Sequence, residues 1–320
     1  MTTKSLYILS SPRGGSTLVS LVLGQHTAIA NLGEVSFIPK LLSLGEQCTC
    51  GNTIRECNKW KLVFDELTST TGVDMRVTPY GLHLDDAMKW KDGSGRVDHR
   101  YQTRKRVAIA RFRGAIDTAG LALPSSIGGA WATLPSVKNG VNNTMMLFNA
   151  AANAWQKKMI IDASKLPRKA IHLYRAFPEQ VRILHLTRDG RGVSASRMAH
   201  MPFERAAHRW RHYHTLTNQL LERWVIPDHR LRLRYEDFTT NFEHWMKRLC
   251  AWLEIDFEPQ MLMFSKNSVT HSAGGNPTRF KLADEGIRPT DDSWRTKLSV
   301  DNIAQFETIA GDLNRKLGYR

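Results

Sequence analysis

The run Leu6-Tyr7-Ile8-Leu9-Ser10-Ser11-Pro12-Arg13-Gly14-Gly15-Ser16-Thr17-Leu18-Val19-Ser20 sets an arginine, two glycines and two hydroxyls between an apolar segment and an amphipathic one. A strand that enters a Gly-rich turn and then a helix aims backbone N–H groups and the helix N-terminus at one spot, which makes an anion site. Arg13 adds a fixed positive charge, and Ser16 and Thr17 add donors. A phosphate fits such a turn. The Walker A pattern does not: no Lys precedes Ser16-Thr17, and no glycine stands five residues before Gly15. A G-x-G-x-x-G run is absent too, so an ordinary ATP or GTP loop is a poor reading. The bland alternative is a plain strand-to-helix turn capped by Ser or Thr.

A second segment of the same kind is Leu184-His185-Leu186-Thr187-Arg188-Asp189-Gly190-Arg191-Gly192-Val193-Ser194-Ala195-Ser196. Arg188 sits just past an apolar run, and Ser196 lies about two helical turns on. A cation and a hydroxyl so placed can grip one phosphate from two sides, the Arg in bidentate fashion. Taken alone, the segment also reads as a surface Arg-Asp-Gly turn. A further cation, Lys165 in Asp162-Ala163-Ser164-Lys165, follows another apolar run.

These residues need a frame. Strands are expected at Leu6–Ser11, Lys158–Asp162, Val181–Leu186 and Leu231–Tyr235, with helices at Thr17–Gln25, Arg168–Phe177, from about Val193, and at Asn241–Leu253. Ser299 can cap a last helix with an Ile303, Phe306, Ile309, Leu313 and Leu317 stripe. Strands alternating with helices imply an α/β fold, a parallel sheet flanked by helices, whose ligands sit at the C-terminal strand ends. The region from Thr70 to Trp155 breaks the alternation and reads as a largely helical insertion, basic from Lys89 to Arg113 and Gly/Ser/Asn-rich after it.

The 320 residues, 42% hydrophobic, can bury one large core, and the expectation is a single domain over 1–320. A net charge of +15 calls for an anionic ligand. No RRM, KH or helix-turn-helix pattern supports a nucleic-acid partner. No apolar run approaches the roughly 18 residues of a membrane span. The N-terminus leads straight into a strand the anion turn needs, so a cytoplasmic protein is expected. Cys48, Cys50, Cys57 and Cys250 are too few for a disulfide scaffold. The spacing of the first three lacks a C-x-x-C pair, so a structural loop, with or without a disulfide, is expected and no metal.

Together, S-x-P-R-G-G-S-T after one strand and R-D-G-R after another, with Ser eight residues beyond the first Arg, resemble the sulfotransferase family. Leu231 to Phe238 is similar to that family's RYEDL segment. His271 to Phe280 resembles a late cofactor loop of bacterial members, and Trp294-Arg295 a W-[KR] element. The resemblance implies a P-loop-like fold. It implies 3′-phosphoadenosine 5′-phosphosulfate (PAPS) as sulfonate donor, 3′-phosphoadenosine 5′-phosphate as product, and no required metal. It places the 5′-phosphosulfate on Arg13, Gly14, Gly15, Ser16 and Thr17, and the 3′-phosphate on Arg188 and Ser196. Tyr235, Asn276 and Arg279 also fall to the cofactor. Gln25 to Glu34 resembles the H-P-x-x-x-x-G-E stretch of tyrosylprotein sulfotransferases, with Thr27 in place of Pro. That makes Glu34 the expected base, with Lys165, in a D-x-S-K like that of bacterial relatives, at the bridging oxygen or the sulfonate, and His271 as the reserve base. Glu34 as a mere ion-pair partner for Arg13 or Arg188 is the bland alternative. The expected acceptor is a small molecule, glycan or lipid hydroxyl or amine, with the insertion at residues 70–155 serving its site or a lid. The competing functions are a P-loop-like nucleotide kinase or phosphotransferase, and a non-catalytic basic binding protein.

Overall fold

A computed structural model describes residues 3–84, 112, 115–117, 119–121, 135–263, 270–280 and 292–320. Its centre is a five-stranded sheet: β1 (Lys4–Leu9), β2 (Ile29–Gly33), β3 (Met159–Asp162), β4 (Val181–Thr187) and β5 (Arg230–Arg234), in the order β2-β3-β1-β4-β5. Every pairing is parallel. The parallel α/β expectation therefore holds, with one more strand than expected.

Parallel strands are covered on both faces, so they read as apolar runs rather than alternations. In β1, Leu6 and Ile8 face one core cluster and Tyr7 and Leu9 the other. The first cluster is closed by α1 (Ser16–Leu23) and by α9 (Phe242–Trp252), whose Met246 and Leu249 are fully buried. The other face is closed by α2 (Ile38–Leu44), α3 (Asn58–Thr71), α4 (Pro135–Trp155) and α5 (Pro167–Ala176). A third cluster joins α6 (Gly190–Arg197) and α7 (Phe203–Trp224) to Trp294, Phe306 and Ile309 near the C-terminus. The short helix α8 (Tyr235–Thr240) continues directly from β5.

The basic residues of the stretch from Lys89 to Arg113 lie outside the described residues, as does most of the Gly/Ser/Asn-rich run. Residues 135–155 of the expected insertion form α4, which packs on α3. No described helix is long and apolar enough to cross a membrane. The strand order matters most for the site: β1 has β3 on one side and β4 on the other. The turns after these three central strands open at the same sheet edge, and ligands of open α/β sheets collect where strand order reverses.

Candidate active site

The turn after β1 is built on two unusual backbone conformations. Gly15 has φ of 95°, and a Cβ there would lie 2.2 Å from the Tyr235 ring. Only glycine accepts both demands. Arg13 has φ of 76°, a left-handed conformation uncommon for a residue with a Cβ. The twist turns the exposed Arg13 side chain toward α6, where its Nε donates to Ser196 Oγ at 3.0 Å. From the other side, Arg188 donates through a guanidinium N–H to the Arg13 carbonyl oxygen at 3.0 Å. The Arg188 guanidinium also lies over the Tyr235 ring, 4.8 Å from its centre. The strand-end turns of β1, β4 and β5 thus meet through Arg13, Arg188, Ser196 and Tyr235.

Their electrostatics favour an anion. Burial, with Arg209 and Arg13 as like charges, pulls the Arg197 guanidinium below its ordinary value. Asp189 caps α6 through the Arg191 amide and also takes the Arg191 guanidinium, so its charge is committed elsewhere. Among the described residues, a cavity of about 130 Å³ adjoins Arg188, with Arg234, Arg295 and Arg320 on its wall beside Glu236 and Trp294. Burial raises the Glu236 carboxyl, while one of its oxygens accepts from the Asp189 amide at 3.0 Å.

The ends of β2 and β3 bring the second half of the site. Glu34 follows β2, and its carboxylate is paired with the Lys165 ammonium. Both side chains are under one-fifth exposed, so the pair is held in a recess rather than in open solvent. Neither Arg13 nor Arg188 is the partner of Glu34. Lys165 has φ of 62°, and its carbonyl accepts from Tyr213 Oη at 3.2 Å. Tyr213 is a half-buried α7 residue, and burial of its hydroxyl pushes that group up. It fixes the Lys165 turn from beneath, and nothing in the local sequence around Tyr213 marks that role. Ser164 ties the same turn down, donating from its amide to Asp162 Oδ1 at 2.8 Å and accepting from the Ser36 amide at 2.9 Å. Asp162 is wholly buried, and burial raises its carboxyl.

A returning segment, residues 270–276, closes this edge. Ala273 accepts from the Glu34 amide at 2.7 Å and donates to the Leu32 carbonyl at 3.0 Å. Gly33, at φ of 77°, permits that approach: a Cβ would lie 2.1 Å from the Ala273 oxygen. The Asn276 amide donates to Thr17 Oγ1 at 3.4 Å, so this segment reaches the first turn of α1. Arg279 is turned inward instead. Its guanidinium donates to the Gly275 and Gln47 carbonyls, at 2.8 and 3.3 Å, and burial lowers it. His271 turns to the cysteine loop instead. Its Nδ1 lies 3.3 Å from Cys57 Sγ and 3.9 Å from Cys48 Sγ, and all three cysteines of that loop are free thiols.

A parallel α/β sheet with cationic turns at its C-terminal edge defines the P-loop-like class of fold. The chain belongs to the sulfotransferase family, whose model matches residues 5–259. No curated protein matches it by sequence. Among solved structures, the sulfotransferase domain from the curacin biosynthetic pathway superposes with a TM-score of 0.53 at 17% identity, covering 100% of this chain and 99% of that one. The sulfotransferase domain from the Synechococcus PCC 7002 olefin synthase gives 0.51 at 22% identity, covering 97% and 95%. Both are similar to this chain in fold.

Proposed function

We propose that this sulfotransferase moves a sulfonate from PAPS to a hydroxyl or amine of a small-molecule, glycan or lipid acceptor. The observation that carries the reading is the meeting of Arg13, Arg188 and Ser196, from motifs about 175 positions apart. One cationic turn for a 5′-phosphosulfate beside an Arg–Ser pair for a 3′-phosphate suits a nucleotide with phosphates at both ends.

Sulfuryl transfer is an in-line displacement through a loose transition state, in which positioning and charge stabilisation dominate, as in phosphoryl transfer. The acceptor oxygen or nitrogen forms a bond to sulfur as the bond from sulfur to the 5′-phosphate oxygen breaks. The leaving phosphate gains negative charge, which Arg13, Ser16, Thr17 and the α1 N-terminus oppose. Lys165 meets the sulfonate or the bridging oxygen. As the ammonium turns to that oxygen, the Glu34 carboxylate is released to take the acceptor's proton. Tyr235 packs Arg188 against the nucleotide end, and Asn276 holds Thr17 in register. Arg279 supports the Gly275 turn. The insertion at residues 70–155 supplies the acceptor pocket or a lid.

Isothermal titration with 3′-phosphoadenosine 5′-phosphate tests the reading. Binding that weakens sharply when the 3′-phosphate is removed supports it. A folded sample that does not bind the nucleotide, or prefers ATP, refutes it.

A further inference from the structure

We propose that Cys48, Cys50, Cys57 and His271 form a structural zinc site. The three cysteines belong to the loop between α2 and α3, while His271 comes from the returning segment 214 positions after Cys57. The four ligand atoms lie within 4.8 Å of one another. Tetrahedral zinc with Zn–S of about 2.3 Å and Zn–N of about 2.0–2.1 Å sets neighbouring ligand atoms roughly 3.5–3.8 Å apart. The His271 Nδ1 distances of 3.3 Å to Cys57 Sγ and 3.9 Å to Cys48 Sγ bracket that edge. Four ligands converging this closely suit one ion; the cysteines of an iron–sulfur cluster must reach round several irons. A disulfide would use two of the four groups and leave a thiol and an imidazole facing it.

The surroundings fit a closed site. Cys48 and Cys57 are fully buried, and Cys50 and His271 are half-buried. Cys48 accepts from the Gly51 amide through its carbonyl and donates its own amide to the Asn52 carbonyl, which folds the loop into a tight knuckle. Trp60 Nε1 donates to the His271 carbonyl at 2.8 Å, and Trp155 stands edge-on to the imidazole, 6.1 Å between centres. These contacts orient His271 without occupying Nδ1. Three thiolates and a neutral imidazole around Zn²⁺ carry a net negative charge. Arg279 supplies a buried cation on that side, with a side chain 5% exposed, a hydrogen bond to the Gln47 carbonyl next to Cys48 and an Nε that finds no partner among the described residues; a further charged neighbour is the more exposed Glu46 carboxylate, at 3.9 Å.

The site would be a fastener. It would pin the knuckle to the strand-like segment that carries Ala273 against Glu34 and Asn276 against Thr17. Zinc would then hold the active-site edge together without touching the reacting atoms. The linear spacing concealed this, since Cys-x-Cys supplies no paired C-x-x-C and the fourth ligand is remote in sequence.

Metal analysis of the full chain, purified under reducing conditions without chelator, is the test. The expected result is about one zinc per chain. Stripping and reloading with Co²⁺ should give the visible bands of tetrahedral thiolate coordination. Cys57→Ser should lose the metal, His271→Cys should keep it, and Cys250→Ser should leave the stoichiometry unchanged. If Cys57→Ser does not fold, the half-buried Cys50→Ser and the wild-type cobalt spectrum decide the matter. A reduced, folded chain that takes up neither zinc nor cobalt overturns the proposal. So does a Cys48–Cys57 disulfide found by mass spectrometry in chain isolated under non-reducing conditions.

Discussion

Glu34 and Lys165 form an ion pair across the C-terminal ends of β2 and β3, at 18% and 16% side-chain exposure. Each is the other's counter-charge until a substrate arrives, so each governs how the other is presented. On general-base magnitudes, Glu34→Gln should lower turnover roughly 10²-fold or more. Affinity for 3′-phosphoadenosine 5′-phosphate should stay within a few-fold, because the proposed role of Glu34 is to take the acceptor's proton rather than to hold the nucleotide. Lys165→Met should also cut turnover. The double variant should cost less than the two losses multiplied, as expected for groups in contact. Multiplicative losses in single-turnover rates would show that the two act independently.

In the proposed reaction Arg188 takes the 3′ end of the nucleotide and Arg13 the 5′ end. Arg188→Ala should weaken 3′-phosphoadenosine 5′-phosphate about 10- to 100-fold, the scale of one or two lost hydrogen bonds to a charged group at ~1.5–3 kcal/mol. Binding of adenosine 5′-phosphosulfate, which lacks the 3′-phosphate, should change little. Ser196→Ala should follow the same pattern at a smaller scale. Equal losses for both nucleotides, measured by calorimetry, would detach Arg188 from the 3′ end.

Much of this arrangement can be read from the chain itself. Leu6–Leu9 and Val181–Leu186 declare themselves because strands buried on both faces are continuous apolar runs, and each ends in a charged, glycine-bearing turn. The strand Ile29–Gly33 was hidden: it is five residues long, contains Asn31 and shows no alternation. Helix α7 was hidden for another reason. Its buried stripe includes His214 and Thr217 beside Trp210 and Leu220, so the apolar period is broken by polar residues that the core accepts. Tyr213 went with it, since nothing local marks a hydroxyl that will meet the Lys165 carbonyl. His271 shows the same limit. Its neighbour in sequence is a cofactor-like loop, while its neighbours in space are thiols brought by a distant turn.

Arg13 combines the side chain proposed to meet the 5′-phosphosulfate with a costly backbone. Its φ of 76° lies where a Cβ costs roughly 1–2 kcal/mol. Arg13→Gly and Arg13→Ala should both lose nucleotide affinity, since both remove the guanidinium. Their stabilities should differ: the Gly variant should exceed the Ala variant by about 1 kcal/mol, after allowing for the greater chain entropy of glycine. Denaturant titration of the two ligand-free variants measures the gap. Equal stability, or a more stable Ala variant, would mean the turn does not hold that conformation in solution.

His185 on β4 and His214 on α7 make a buried stacked pair, with Nε2 of the first 2.9 Å from Nδ1 of the second. Burial, then Arg232, pushes His185 down to about 3; burial, then His185, holds His214 well below the ordinary imidazole value. Both are therefore neutral in the folded chain at pH values where an unfolded histidine, near 6.5, takes a proton. Below about pH 6.5 the unfolded state binds more protons, so stability is present above that pH and is lost as pH falls toward 3. Two such groups steepen the loss by up to about 2.7 kcal/mol per pH unit. Asp162, raised by burial, acts in the opposite sense, contributing at low pH and losing that contribution as pH rises. The histidine share is therefore best isolated as a difference between proteins. Urea unfolding at pH 7.5, 6 and 5 should show a steeper acid loss for the wild type than for His185→Leu/His214→Phe, in which neither position can take up a proton. Parallel curves for the two proteins would mean that the pair is already protonated, or open to water, in the native state.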